Sequence, residues 1–203
     1  MINNTTNDIL TPYKEGDKWG FRLNDEELII TPKYDEIKDF SEDLVCVRQN
    51  NKWFLIDAYG AEIAPLKYDK IWPLSEGFAP VELNDKWGYI DETGNETISL
   101  KYDGVLPFMD GMAGVVLDEK WGFVDKWGRE AIPLQYDEVW FFSEGLAAAK
   151  LDDKWGYIDE TDAVVIPFIF DNGYSFEGVF AEVILNGKHG YIDKTGEFFK
   201  EIK

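Results

Sequence analysis

Five tryptophans stand at a constant interval of 34 residues: Trp19, Trp53, Trp87, Trp121 and Trp155. One further step lands on His189, in "KHGYIDKTGE". An interval kept over most of a chain of 203 residues means an array of one small supersecondary unit. No other feature restricts the fold as much. A unit this short cannot bury its apolar side alone, so each copy must be covered by its neighbours.

Paired helices can repeat with the same period, so the pattern inside the unit decides. Each anchor opens a phrase such as "KWGYID" at 86–91, where Trp87 and Tyr89 face one way and Gly88 and Ile90 the other. A polar turn follows, "DETGN" at 91–95, "DAYGA" at 57–61 or "DKTGE" at 193–197. Its glycine takes positive φ and its aspartate bonds the turn backbone. A proline-marked strand comes next, "IPLQYDEV" at 132–139 or "APLKYDKI" at 64–71, since proline suits a strand start and not a helix interior. "FSEGLAAAKL" at 142–151 then leads through two residues into the next "KWG". Those pairs are Asn50-Asn51, Asn84-Asp85, Asp118-Glu119, Asp152-Asp153 and Asn186-Gly187, all hairpin-turn chemistry. The expected fold is all-β, with three antiparallel strands a, b and c per unit. The units are 18–51, 52–85, 86–119, 120–153, 154–187 and 188–203 of a single domain.

The sixth unit ends after its a and b strands, while "NDILTPYKEGD" at 7–17 occupies the place of a c strand. Leu10 aligns with Leu146 and Lys14 with Lys150. The expectation is a closed propeller-like ring in which 7–17 completes the last unit and removes two sheet edges. An open β-solenoid with capped ends is the alternative, and Pro12 inside the closing strand favours it.

The elements "KWGYIDETG", "YDEV" after the proline and "FSEGLA" recur in fixed order over residues 18–203. In this the chain resembles the WG-repeat (KWG-repeat) family, which is chiefly bacterial. The resemblance implies a repeated β-architecture, a binding role and no established catalytic residues. Three departures are local: Phe54 follows Trp53 where glycine is the rule, His189 replaces a sixth tryptophan, and the fifth unit reads "FIFDNGYSFEGVF".

Composition narrows the function. Acidic residues number 40 against 20 basic, a formal charge of −20, which repels nucleic acid and favours a soluble monomer. The lone Cys46 excludes an internal disulfide and lies in the alternating run "DLVCVRQ", as a small buried residue would. "MINNTTNDIL" has no basic head or apolar centre and no run is long enough to span a bilayer, so the expected location is cytoplasmic, away from membranes. With His189 as the single histidine, expected to be a partly buried cap, neither a histidine metal site nor a Ser-His-Asp machine is expected. No phosphate-binding loop appears, and no cofactor is implied.

Residues that keep the period read as framework. Trp19, Trp53, Trp87, Trp121 and Trp155 are the expected structural anchors. Tyr34, Tyr68, Tyr102, Tyr136 and Phe170 follow the period, as do Asp35, Asp69, Asp103, Asp137 and Asp171. Core rings with turn-capping carboxylates account for them, the alternative being a carboxylate ring that holds cations.

Residues that break the period read as contact candidates. Trp127 replaces Thr93 of the "DETGN" turn, so it belongs on an exposed hairpin tip. Trp72 and Trp140 share one slot in the b-to-c connection, with Phe108 and Phe141 close by. Exposed aromatics on loops bind something, unless they pack on a neighbouring unit. The expected function is a non-enzymatic binding module for a protein partner, a basic one in the version charge favours, as in an immunity- or inhibitor-type protein. A carbohydrate- or cell-wall-binding lectin-like array is the alternative, and a carboxylate-dependent hydrolase stands third.

Overall fold

The computed structural model describes residues 10–23, 27–41, 44–57 and 59–199. The described chain is all-β and contains no helix. The first sheet is β1 (Leu10–Glu15), β2 (Lys18–Leu23) and β3 (Glu27–Tyr34), in that order. The second is β4 (Glu36–Ser41), β5 (Leu44–Gln49) and β6 (Lys52–Asp57). The third contains β7 (Lys70–Ile71), β8 (Phe78–Leu83), β9 (Lys86–Asp91) and β10 (Glu96–Tyr102). The fourth contains β11 (Gly104–Val105), β12 (Met112–Leu117), β13 (Lys120–Asp125) and β14 (Glu130–Tyr136). The fifth contains β15 (Glu138–Val139), β16 (Ala147–Leu151), β17 (Lys154–Ile158) and β18 (Val164–Phe170). The sixth contains β19 (Asn172–Gly173), β20 (Phe180–Leu185), β21 (Lys188–Asp193) and β22 (Phe198–Phe199). Two compact units divide the chain, one running to Asn84 and including Ile90–Glu96, the other made of Asp85–Tyr89 and the chain from Thr97.

The hydrogen-bonded sheet is offset from the sequence repeat by one strand. Each c strand joins the a and b strands that follow it, so β1 pairs with β2 from Leu10↔Leu23 to Glu15↔Lys18. Residues 7–9 of the expected closing strand lie outside the described residues. The two-residue links set this pairing. Asn50 and Asn51 have φ of 53° and 62°, Asp152 and Asp153 of 50° and 62°. Two consecutive positive φ values make the hairpin turn whose twist matches paired strands. The b strand also differs from a single run "IPLQYDEV". It bends at Asp137, and Glu138–Val139 leave to pair with Lys150 and Ala149 of the next sheet.

The glycine after each anchor has a packing reason. Pairing between a and b strands shifts register at this position, as a bulge does, and the backbones close up. A Cβ on Gly122 would sit 2.5 Å from the Ile132 carbonyl oxygen, and one on Gly156 2.7 Å from that of Ile166. Phe54 is the exception, and there the b strand fails. Of the expected strand 64–71 only Lys70–Ile71 forms; before it the chain touches β6 through single bridges, Ile56↔Glu62 and Trp53↔Tyr68. A side chain at this position forbids the close approach that a paired b strand needs.

Within each compact unit the core lies between successive sheets, a bulky face against a small one. Trp155, Tyr157, Ile166 and Phe170 of the fifth sheet pack with Ala181, Val183 and Ile192 of the sixth. Phe123, Ile132 and Tyr136 of the fourth meet Ala147, Ala149 and Ile158 of the fifth. In the first compact unit, Phe21, Ile30 and Tyr34 meet Val45, Val47 and Ile56. Trp53, Trp87 and Trp155 are buried, while Trp19 and Trp121 are half-buried at the rim of their clusters. Cys46 is buried, and burial pushes its thiol up to about 12.

Two substitutions test this arrangement by urea unfolding. Trp155→Ala is expected to cost about 3–5 kcal/mol, because a buried ring leaves a cavity that the sheets cannot close. Gly122→Ala is expected to fall at the upper end of about 1–3 kcal/mol, because its methyl group meets backbone atoms that cannot rotate away.

Candidate functional site

Each a strand has a hairpin at either end, and the two ends differ chemically. At the c-to-a end an aspartate, a lysine and a turn lock together. The bend aspartate of one unit takes a hydrogen bond from the lysine of its own "KWG" phrase: Lys86 to Asp103 at 2.5 Å, Lys120 to Asp137 and Lys154 to Asp171 at 2.6 Å. Lys18 and Asp35, and Lys52 and Asp69, pair in the same way. The second carboxylate oxygen accepts a turn amide of the next hairpin, from Asn50 to Asp35 at 2.9 Å and from Asp118 to Asp103 at 3.0 Å. The periodic aspartates therefore cap turns and pair with lysines. Among the described residues no group of three or more His, Cys, Asp or Glu side chains is arranged to hold a metal ion.

At the a-to-b end another aspartate organises the tip. Asp91 Oδ1 accepts the amides of Thr93 and Asn95, both at 2.9 Å, and Asp125 Oδ1 accepts those of Trp127 and Arg129 at 2.9 and 3.0 Å. The third turn position then sets the character of the tip. Thr93, Thr161 and Thr195 fold their hydroxyls back onto the aspartate at 2.7, 2.7 and 2.6 Å. Trp127 and Tyr59 occupy the same slot without that bond and stand out from the surface, 76% and 83% exposed. Arg129 anchors the Trp127 tip: its Nε donates to Asp125 Oδ2 at 2.7 Å while its guanidinium lies 4.8 Å from the indole centre.

The contact candidates thus separate. Trp127 lies on an exposed tip as expected. Phe108 does not belong with it: the ring is fully buried, edge-on to Tyr89 at 5.0 Å, as Phe142 is to Phe123 at 4.8 Å and Phe176 to Tyr157 at 5.1 Å. It is a framework residue, because the b-to-c connection folds inward over the a strand. Trp72, Trp140 and Phe141 are half-buried. Trp140 stacks on Tyr174, its counterpart one unit later, at 6.4 Å and 29°, so most of its ring serves packing between sheets. His189 is exposed, not a partly buried cap, and its Nδ1 lies 3.3 Å from Glu182 Oε1. Tyr59 was missed although the signal was present: it fills the slot that singles out Trp127.

Large apolar side chains are also exposed in the last two sheets. Phe180 and Tyr191 are 45% and 40% exposed, while their counterparts one unit earlier, Leu146 and Tyr157, are buried. A shallow dent lined by Glu76, Gly77, Phe78, Asp91, Glu92 and Thr93 adds acidic surface in the first compact unit.

Five consecutive stretches, 24–53, 54–87, 87–121, 121–155 and 155–188, match the family model described as WG containing repeat. A comparison with curated proteins finds no match. Among solved structures, a eukaryotic initiation factor is similar at 12% identity and a TM-score of 0.63, over 98% of this chain and 63% of that one. The chain thus spans less than two thirds of the initiation factor's length. Hsv2 of Kluyveromyces lactis is similar at 9% identity and a TM-score of 0.52, over 93% and 70% of the two chains. Hsv2 of Kluyveromyces marxianus gives 9% and 0.52, over 92% and 68%. At such identities the likeness is one of fold alone, and that fold is propeller-like.

The bend aspartates carry a pH prediction. Hydrogen bonds from their lysines hold the carboxyls of Asp35, Asp69, Asp103, Asp137 and Asp171 below the ordinary carboxylate value. Carboxyls lowered by folding stabilise the fold above their unfolded value, about 3.9, and lose that effect as pH falls through the folded values. Asp103→Asn is expected to lower the urea midpoint at neutral pH, and the difference from the unaltered chain is expected to close in strong acid.

Proposed function

This chain belongs to the WG-repeat family, and on that premise we propose that it is a non-catalytic binding module for a protein partner with a basic surface. The observation that carries the reading is the Trp127 tip. A large aromatic side chain stands clear of the surface on a turn that Asp125 and Arg129 already hold in place. A ring presented this way loses little conformational freedom on binding, which is what an anchor residue needs. Tyr59 repeats the arrangement on its own hairpin, where Asp57 accepts the Tyr59 and Ala61 amides at 2.9 and 2.8 Å.

Charge supplies the choice of partner. With 40 acidic and 20 basic residues, a basic surface is attracted over a distance and an acidic one is turned away. The bend aspartates are already paired with lysines, so the excess negative charge is carried by the rest of the surface. An inhibitor or immunity-type protein that covers a basic patch on its target is one instance of this reading.

Capture of partners from lysate at low and at high salt, with identification of the bound species, tests it. The complex is expected to weaken clearly as salt rises. Trp127→Ser is expected to weaken the purified complex by about 2 kcal/mol, roughly thirty-fold in Kd, with the thermal melt unchanged. A bound sugar whose retention depends on Trp127 and ignores salt would replace this reading with the lectin-like one.

A further inference from the structure

The b strands that end the third, fourth and fifth sheets share one pattern of burial, yet β18 departs from β10 and β14 in chemistry. Counting back 34 residues, Val164 corresponds to Glu130 and Glu96, Val165 to Ala131 and Thr97, and Ile169 to Gln135 and Lys101. All these positions are exposed in all three strands. In β10 and β14 they carry charged, polar or small side chains, the usual guard on a strand that ends a sheet. In β18 they are Val164, Val165 and Ile169, exposed by 54%, 42% and 50%. The seven residues "VVIPFIF" contain no charge at all.

The main chain on this side is also open to pairing. Among the described residues β18 is the last strand of its sheet and pairs only with β17. Pro167 removes one amide donor, as Pro133 does in β14, and leaves donors on either side of it. We propose that the β18 edge is a docking site for an extended apolar segment of a protein partner, flanked by lysine or arginine, which adds to the sheet as a further strand. Main-chain hydrogen bonds would hold the segment, and Val164, Val165 and Ile169 would meet its alternate side chains.

Charge decides between that occupant and a second copy of this chain. Asp159, Glu160 and Asp162 precede the strand, Asp162 taking hydrogen bonds from Gln135 and Tyr136, and Asp171, paired with Lys154, follows it. Antiparallel pairing of two β18 edges would bring the acidic start of one strand beside Asp171 at the end of the other, a carboxylate already paired with Lys154, so what opposes a second copy is the −20 that each chain carries. Basic flanks on a foreign segment turn the same charges into attraction. The proposal rests on the protein-partner reading above but places the contact on a different element from the hairpin tips.

The test uses the full chain and a fluorescein-labelled peptide of alternating valine and threonine with a lysine pair at each end. Saturable anisotropy is expected, with slowed amide exchange in Val164–Phe170. Val164→Glu combined with Ile169→Lys restores side chains of the sister strands at exposed positions. This variant is expected to melt as the unaltered chain does and to bind the peptide at least about ten-fold more weakly. Absence of saturable binding, or equal binding by the variant, overturns the proposal. So does equal binding of a peptide with glutamate ends, or a dimer of the unaltered chain that the variant loses, which would assign the edge to a second copy. The peptide reads β18 alone, so it can fail while partner capture through Trp127 succeeds, and the reverse.

Discussion

A bulky sheet face laid on a small one is the interaction from which the rest of the structure follows. Trp155, Tyr157 and Phe170 on one sheet need Ala181, Val183 and Ile192 on the next, because two bulky faces would hold the sheets too far apart. The same rule explains the anchor phrase. Tryptophan supplies the bulk, and the glycine beside it lets the b strand come close enough for Ile132 or Ile166 to enter the same layer. Where Phe54 takes the glycine's place, its ring enters the layer toward the first sheet, edge-on to Tyr34 at 5.8 Å, and the paired b strand is given up.

Surface function is possible because that framework is duplicated. The hairpin tips at Asp57, Asp91, Asp125, Asp159 and Asp193 are each held by that aspartate, so a change at the third turn position alters what the tip displays without altering the turn. Thr93 and Trp127 sit on turns with the same pair of aspartate-to-amide bonds. The b strands behave likewise: β14 and β18 bury Ile132 and Ile166 at matching positions and differ in what they show to solvent. A repeat protein of this kind separates the residues that stack its sheets from those that can meet a partner, and the second set can vary at little cost to the first.

Much of this was readable from the residues in order. The 34-residue interval, the two-residue turns and the Asp-x-x-Gly tips are local signals, and each led to the structure that formed. Trp127 stands out in the sequence because it breaks the period, and its exposure follows from the tip it occupies. Phe108 was misread because a loop that folds inward looks, in sequence, like one that stays outside. The partnership of Lys86 with Asp103 was also hidden, since a lysine and an aspartate 17 residues apart meet only when one strand crosses to the next sheet.

The sequence alone determined the repeat, the strand order within it and the turn at each hairpin, because these depend on neighbours along the chain and on the backbone limits of single residues. Tertiary structure alone decided which periodic residues are core and which are rim, why the glycine cannot bear a side chain, and that β18 shows valine and isoleucine to solvent where β10 and β14 show glutamate, glutamine and lysine. Those outcomes depend on which backbone comes within a few ångströms of which, and that distance is set by packing between sheets that no local stretch of the chain contains.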